Sequence, residues 1–280
     1  DQVIDDCIQS IPEQTKIIII ENSNDQKFKE NIEKKYNNVK CILSKENLGM
    51  GSGNNFGLQH VKTDYAIILN PDVILEKNSI NEIIEATKNI NSFAVLAPLS
   101  IDPEYPNYKI HKKNLENIND ILPFKVNSVD GYAMLLNLKR LAQIKTFKDH
   151  KYFDENFFMY LENDDFCKRV IEYNEDIFVV PKSKIKHLGA KAVNEKYEYE
   201  IELSRNWHWI WSKFYYNKKH YGIFKAINDG FIRFILNTFK YLFFLLTNNK
   251  YKKKIYYNRI SGFYNALIGK KSWYRPNFKN

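Results

Sequence analysis

The stretch from Asn47 to Asp72, NLGMGSGNNFGLQHVKTDYAIILNPD, limits most sharply what this chain can fold into. A glycine-rich turn, Asn47 to Asn55, leads into an amphipathic helix with Phe56, Leu58 and Val61 as its apolar positions. The apolar run Tyr65 to Leu69 is too short for a helix and reads as a buried strand. Pro71 lacks an N–H and stops the ladder, which leaves Asp72 at the carboxyl end of that strand. Open α/β sheets bind ligands at that edge.

Two readings of this stretch compete. One is an ordinary turn–helix–strand unit with glycines chosen for positive φ. The other is a nucleotide-sugar site. In it Gly49, Gly51 and Gly53 let the backbone approach a ligand, and Asn54 and Asn55 supply directional hydrogen bonds. Asp72 then holds a divalent metal against a diphosphate. The spacing is neither G-x-G-x-x-G nor a P-loop.

The chain around this stretch alternates strands and helices. Helices are expected over Gln2–Ile11, Phe28–Tyr36, 79–90, 138–145 and Asp164–Tyr173. Strands are expected over Lys16–Ile20, Val39–Leu43, Ala94–Pro98, Asp130–Leu136 and Ile177–Pro181. Residues 100–127 read as a surface excursion beside an acceptor groove. The alternation predicts an α/β layer fold with a mostly parallel sheet.

Composition bounds the function classes. The three cysteines, Cys7, Cys41 and Cys167, are far apart and form no C-x-x-C pair, which argues against disulfide and zinc frameworks and fits a reducing cytosol. The polar, acidic start does not read as a signal peptide. The net charge of +9 divides unevenly, with −6 over residues 1–203 and +15 over residues 204–280. That step, with 22 of the 42 aromatics behind it, places a domain boundary at 203/204.

A second constellation is FDENFFMYLENDDFCKR, Phe153 to Arg169. Helix N-termini favour acids, but Asp154, Glu155, Glu162, Asp164 and Asp165 are more than capping needs. Mutual repulsion raises the proton affinity of some of them, which suits a general base. His187 follows as a metal or phosphate candidate.

Together these pieces resemble glycosyltransferase family 2, especially its bacterial rhamnosyltransferase-like branch. The matching pieces are Ile17 to Ser23, Asn47-Leu48-Gly49 with Gly53 to Gly57, Leu69 to Val73, Gly131, Phe153 to Phe158, the acidic helix start with Cys167 and Arg169, and His187. The resemblance implies a GT-A fold, a nucleotide-diphospho-sugar donor of rhamnose or similar hexose type, a divalent metal (Mn²⁺ or Mg²⁺) and an inverting transfer. It places the donor against Glu21, Asn22, Asn47, Gly49, Asn54, Asn55, Asn70 and Asp72, and the metal on Asp72 and His187. It puts the acceptor side at Asp130, Gly131, Asp154 and Glu155. The family's catalytic Asp is here Asn163, so the base falls to Glu162 or Asp164, with Asp165 in support. The chain also starts at a helix where the family starts with a strand, so that strand is expected to be absent. A catalytically inactive nucleotide-sugar or glycan-binding module is the alternative.

The rear, residues 204–280, reads as a basic, aromatic helical region. Phe231–Leu246 is apolar but only 16 residues long, short of the ~20 that span a bilayer. Arg233, Asn237 and Lys240 form one polar stripe on it, and Lys250 and Lys252–Lys254 follow. The expectation is an interfacial helix that attaches the enzyme peripherally to the inner, cytoplasmic face of an anionic membrane, near a lipid-linked or cell-surface glycan acceptor. No nucleic-acid motif accompanies the charge. Self-association as a homodimer stays open.

Overall fold

The computed structural model describes residues 2–102, 106–110, 121–189 and 195–277. They divide into two units, residues 1–154 with 163–192 and residues 155–162 with 193–280. Of the expected excursion at 100–127, residues 103–105 and 111–120 lie outside the described residues.

The first unit opens with α1 (Gln2–Ser10), β1 (Ile17–Glu21), α2 (Gln26–Lys35), β2 (Val39–Leu43) and α3 (Gly49–Leu58). Next come β3 (Tyr65–Leu69), β4 (Val73–Leu75), α4 (Ser79–Asn89), β5 (Val95–Ser100) and β6 (Tyr108–Lys109). It continues through β7 (Phe124–Lys125), β8 (Ser128–Val129), β9 (Ala133–Asn137), α5 (Leu138–Leu141), α6 (Glu162–Glu172) and β10 (Ile177–His187). The first residue of α6, Glu162, counts with the second unit.

The main sheet has six strands in the order β3-β9-β5-β10-β4, with β7 also on β10. It is mixed, not mostly parallel. Only β5 and β10 run parallel in it, while β9 runs antiparallel to both β3 and β5, and β4 and β7 run antiparallel to β10. Alternating helices signal parallel pairing only where each helix is the crossover between neighbouring strands. Here β9 is wedged between two strands that are not its neighbours in the chain. β10 runs past Pro181 to His187, with its register broken between Val180 and Lys184, an irregularity that accommodates the proline.

Side chains alternate across this sheet. Met134 and Leu136 point into a cluster with Phe166, Cys167 and Val170 of α6, and Leu135 points to the other face, against Ile83 and Ala86 of α4. β1 and β2 form a separate parallel pair, and among the described residues no ladder joins β1 to β3. α1 connects the two sheets. Its Ile8 packs with Val39 and Cys41, and its Ser10 hydroxyl accepts the Leu75 N–H at 3.1 Å.

The second unit contains α7 (Glu198–Tyr221), α8 (Ile223–Leu246) and α9 (Lys250–Leu267). α7 runs straight through the 203/204 charge step. Trp207 is fully buried, and its indole N–H reaches Ser261 Oγ at 3.1 Å. A side chain at Gly262 would meet the Trp207 carbonyl oxygen at 2.5 Å, so only glycine allows α7 and α9 to approach this closely. The segment 155–162 docks into these helices. Phe157 lies 4.9 Å from the Tyr215 ring, Phe158 lies 4.8 Å from His208, and the Ser212 hydroxyl donates to the Met159 carbonyl at 2.7 Å. The aromatics that looked like part of an acidic constellation are thus the core of this unit.

His208 gives the unit a pH dependence. Its Nε2 donates to the Tyr274 carbonyl at 2.8 Å and its Nδ1 faces the Ser272 hydroxyl at 3.0 Å, which fixes a neutral tautomer. Burial, assisted by Arg275 and opposed by the Tyr274 bond, lowers its pKa to about 4. The unfolded chain therefore binds the proton first. Stability is complete above pH ~6.5 and falls as pH drops toward 4, by about 3 kcal/mol in all. Urea unfolding of the full chain against that of His208→Gln, followed between pH 7 and 4, checks this: the variant lacks that part of the slope.

Candidate functional site

The glycine segment expected to be a turn is the first part of α3. Gly49 has φ of 77°, and its N–H is accepted by Asn47 Oδ1 at 3.0 Å, which starts the helix. Gly57 permits close packing on β1, since a side chain there would meet Ile20 at 3.2 Å, while one at Gly53 would make only ordinary contact with Asn22 at 3.4 Å. The helix therefore uses Gly49 for its left-handed start and Gly57 for close contact.

Around it lie the residues expected to hold a donor. The Glu21 carboxylate accepts the Ser23 N–H at 2.9 Å and the Asp25 N–H at 2.7 Å, and so shapes the turn after β1. Asn22 Oδ1 accepts from the Ser44 hydroxyl at 3.2 Å and the Leu48 N–H at 3.4 Å. Asn54 is half-buried. Asn55 is fully buried, with its amide donating to the Phe153 carbonyl at 2.9 Å and accepting the Phe153 N–H at 3.0 Å. Both ends of this side chain serve the main chain of a segment 98 residues away. Asn55→Ala leaves two buried backbone groups unpaired and is expected to cost about 3 kcal/mol, a fall of ~5–10 °C in Tm that differential scanning calorimetry reads.

The centre of the site lies where strand ends converge. Asp72 follows β3 and is 5% exposed. The ladder puts His187, the last residue of β10, opposite Val73, and Leu188 N–H closes on the Asp72 carbonyl at 2.9 Å. His187 Nε2 lies 3.4 Å from Asp72 Oδ2. Tyr132 stacks on the imidazole, with ring centres 4.0 Å apart and planes within 11°. Asn70 sits beside them through its N–H bond to the Tyr132 carbonyl at 2.9 Å.

Asp130, just before β9, joins this edge. Burial pushes its carboxyl up; Lys109 opposes that, Asp164 reinforces it and His187 opposes it again. Asp164 accepts Lys109 Nζ at 2.6 and 2.7 Å and the Ser128 hydroxyl at 2.8 Å. Asn163 donates its amide to the Val129 carbonyl at 2.9 Å. A side chain at Gly131 would displace the flexible Met50 methyl at 2.5 Å and crowd Asn163 Cβ at 3.2 Å, so the approach of α6 is the tighter limit here.

Not every expected residue reaches this edge. Asp165 is fully buried and held by Arg169 Nε at 2.8 Å, while Arg169 also donates to the Tyr152 carbonyl at 2.6 Å. Glu162, 4% exposed, is the first residue of α6. Residues two apart on a helix do not share a face, so Glu162 and Asp164 present differently. Asp154 is half-buried and Glu155 exposed. Tyr132 and Lys109 went unnoticed in the sequence, because neither lies in a motif and both act through partners far along the chain. Also unforeseen are Tyr160 and Leu161, which hold φ of 71° and 67° immediately before Glu162. Paired left-handed non-glycine residues are costly and cluster at functional sites.

A divalent metal is the cofactor to test against these residues. Among the described residues no group of three or more His, Cys, Asp or Glu side chains could hold one. Asp72 and His187 offer one carboxylate oxygen and one imidazole nitrogen at 3.4 Å. Neighbouring ligands on a small divalent ion are about 3 Å apart, so the pair suits an ion whose other ligands come from a diphosphate and water.

A model of the glycosyl transferase family 2 domain matches residues 1–169. Among curated proteins none matches the sequence. Among solved structures, GalNAc-T7 with UDP, GalNAc and Mn²⁺ is similar at a TM-score of 0.52 and 13% identity, over 72% of this chain and 46% of that one. The mannosyltransferase PcManGT from Pyrobaculum calidifontis, in complex with GDP-Man and Mn²⁺, is similar at 0.53 and 10% identity, over 96% of this chain and 84% of that one. This chain thus spans less than half the length of the first. Both likenesses concern the fold.

Proposed function

The chain belongs to glycosyl transferase family 2, and from that premise we propose that it moves a hexose, rhamnose or a similar sugar, from a nucleotide diphosphate onto a lipid-linked or cell-surface glycan, with inversion. The observation that carries this reading is the Asp72–His187 pair, 3.4 Å apart at a strand end and close to Asp130.

In this reading the nucleotide lies against the turn ordered by Glu21 and beside Asn22. Asp72 and His187 would hold a divalent metal, Mn²⁺ or Mg²⁺, whose charge would neutralise the departing diphosphate. Tyr132 fixes the plane of the His187 ring. Glu162 or Asp164 takes the proton of the acceptor hydroxyl, and the sugar passes through an oxocarbenium-like state. The acceptor is met at the cytoplasmic face of the membrane.

Asn163 favours a second reading, a nucleotide-sugar-binding module without turnover, because an amide bonded to the Val129 carbonyl cannot take a proton. A thermal-shift panel of UDP-, GDP- and dTDP-sugars, with and without Mn²⁺, followed by assay of released nucleoside diphosphate, separates the two. A ligand at 100 times its Kd stabilises by about 2.7 kcal/mol. Metal-dependent stabilisation with diphosphate release supports transfer. Stabilisation without release supports the binding module, and no stabilisation by any donor overturns both.

A further inference from the structure

Helix α8 turns an apolar face outward. Its polar residues lie toward the neighbouring helices: Asn237 is buried, Asp229 accepts the Asn217 amide at 3.1 Å, the exposed Arg233 edges a cavity of about 20 Å³ with Lys213, and the exposed Lys240 sits over the Tyr256 ring. Of the stripe Arg233, Asn237 and Lys240 only Asn237 is buried, while Arg233 and Lys240 stay exposed, and the opposite face is apolar and bare. Ile232, Ile235, Leu236, Phe239, Phe243 and Leu246 recur at helical spacing and are 38–85% exposed. At about 200 Å² per large side chain, they expose on the order of 600 Å². Ordinary monomers reach that only as their largest patch, and Phe224, 87% exposed, extends it.

Two occupants would cover such a face, a second copy or a lipid surface, and charge decides between them. The chain holds no acidic residue after Asp229. Lys250, Lys252, Lys253 and Lys254 start α9, immediately after the turn that follows Leu246. Two copies joined at this face would set like charges together, whereas an anionic bilayer neutralises them. Among the described residues no helix is long and apolar enough to cross a membrane, which leaves the interface.

We propose that α8 lies in the surface of an anionic bilayer, with Ile232, Phe239, Phe243 and Leu246 at the acyl boundary and the α9 lysines on headgroup phosphates. This deepens the membrane setting proposed above and rests on nothing in the sugar chemistry, since lipid binding is read without donor or metal. The test is co-sedimentation of the full chain with vesicles of phosphatidylglycerol and phosphatidylcholine, against phosphatidylcholine alone. The expected result is at least ~10-fold preference for the anionic vesicles, lost in large part at 1 M salt, where the Debye length is ~3 Å. Phe239→Asp with Phe243→Asp, and separately Lys252→Glu with Lys253→Glu, each lower binding at least ~10-fold. Unchanged circular dichroism shows that these variants remain folded. Equal sedimentation on both vesicles, or variants that bind as well as the parent, overturns the proposal. A concentration-dependent dimer that Phe239→Asp abolishes, without vesicle binding, assigns the face to a second copy and overturns it too.

Discussion

Replacing Asp72 with alanine is expected to lower sugar transfer by ~10³-fold or more and to remove the metal dependence of donor binding. Preorganised charge stabilisation at a reacting group is worth ~10²–10³ in rate for a single donor, and in the proposed site this carboxylate would be one of the two ligands that the protein offers the ion. The fold is expected to survive. Asp72 sits in a turn, and the Leu188 N–H bond that ties β10 to this turn goes to its main-chain carbonyl, which alanine keeps. Removing the carboxylate also removes a neighbour that, after burial, raises the Cys7 thiol to about 11. The thiol of Cys7 should therefore become slightly more acidic, a shift that thiol titration can read. His187→Ala is expected to cost less, ~10–100-fold, because the carboxylate remains. Isothermal calorimetry with a nucleotide-sugar and Mn²⁺ decides the matter: donor affinity unchanged in Asp72→Ala would remove this residue from the site.

The base is the second large effect. Glu162→Gln or Asp164→Asn is expected to lower turnover by ~10²–10⁴, the usual worth of a general base, with donor affinity unchanged. The two candidates differ in surroundings. Both oxygens of Asp164 meet Lys109, whereas Glu162 is the almost fully buried first residue of α6. Loss of turnover in Glu162→Gln alone assigns the proton to Glu162, and loss in Asp164→Asn alone assigns it to Asp164. Full activity in both carboxylate variants would mean that neither is the base.

The short strands were legible from the chain itself. Val39–Leu43 and Tyr65–Leu69 are apolar runs closed by breakers, and they appear with those bounds in β2 and β3. The Asn47–Asn55 segment was not, because glycine lowers helix propensity locally while the close approach of the same helix to Ile20 at Gly57 rewards it tertiarily. Periodicity also announced a polar stripe on α8 without saying on which side the neighbours lie. Asn55 and Asp165 were legible as polar residues near motifs. Their partners, the Phe153 main chain and Arg169, became visible only after folding. The site's two strand-end residues, Asp72 and His187, could be named separately, but their 3.4 Å separation comes from the β4–β10 register.

The eight residues 155–162 belong with the helices although the chain on both sides of them belongs to the sheet unit. A gene fragment that carries only residues 193–280 would leave behind Phe157 and Phe158, the ring partners of Tyr215 and His208. Recombination between relatives cannot therefore exchange the helices as a single cassette. Two pieces have to travel together, and the smaller one ends with the Tyr160–Leu161 turn and Glu162, the first residue of α6. A lineage that changes its helical unit must rewrite the entrance to its acidic helix at the same time. Chimeras joined at 192/193 should misfold unless residues 155–162 are taken from the same parent as the helices.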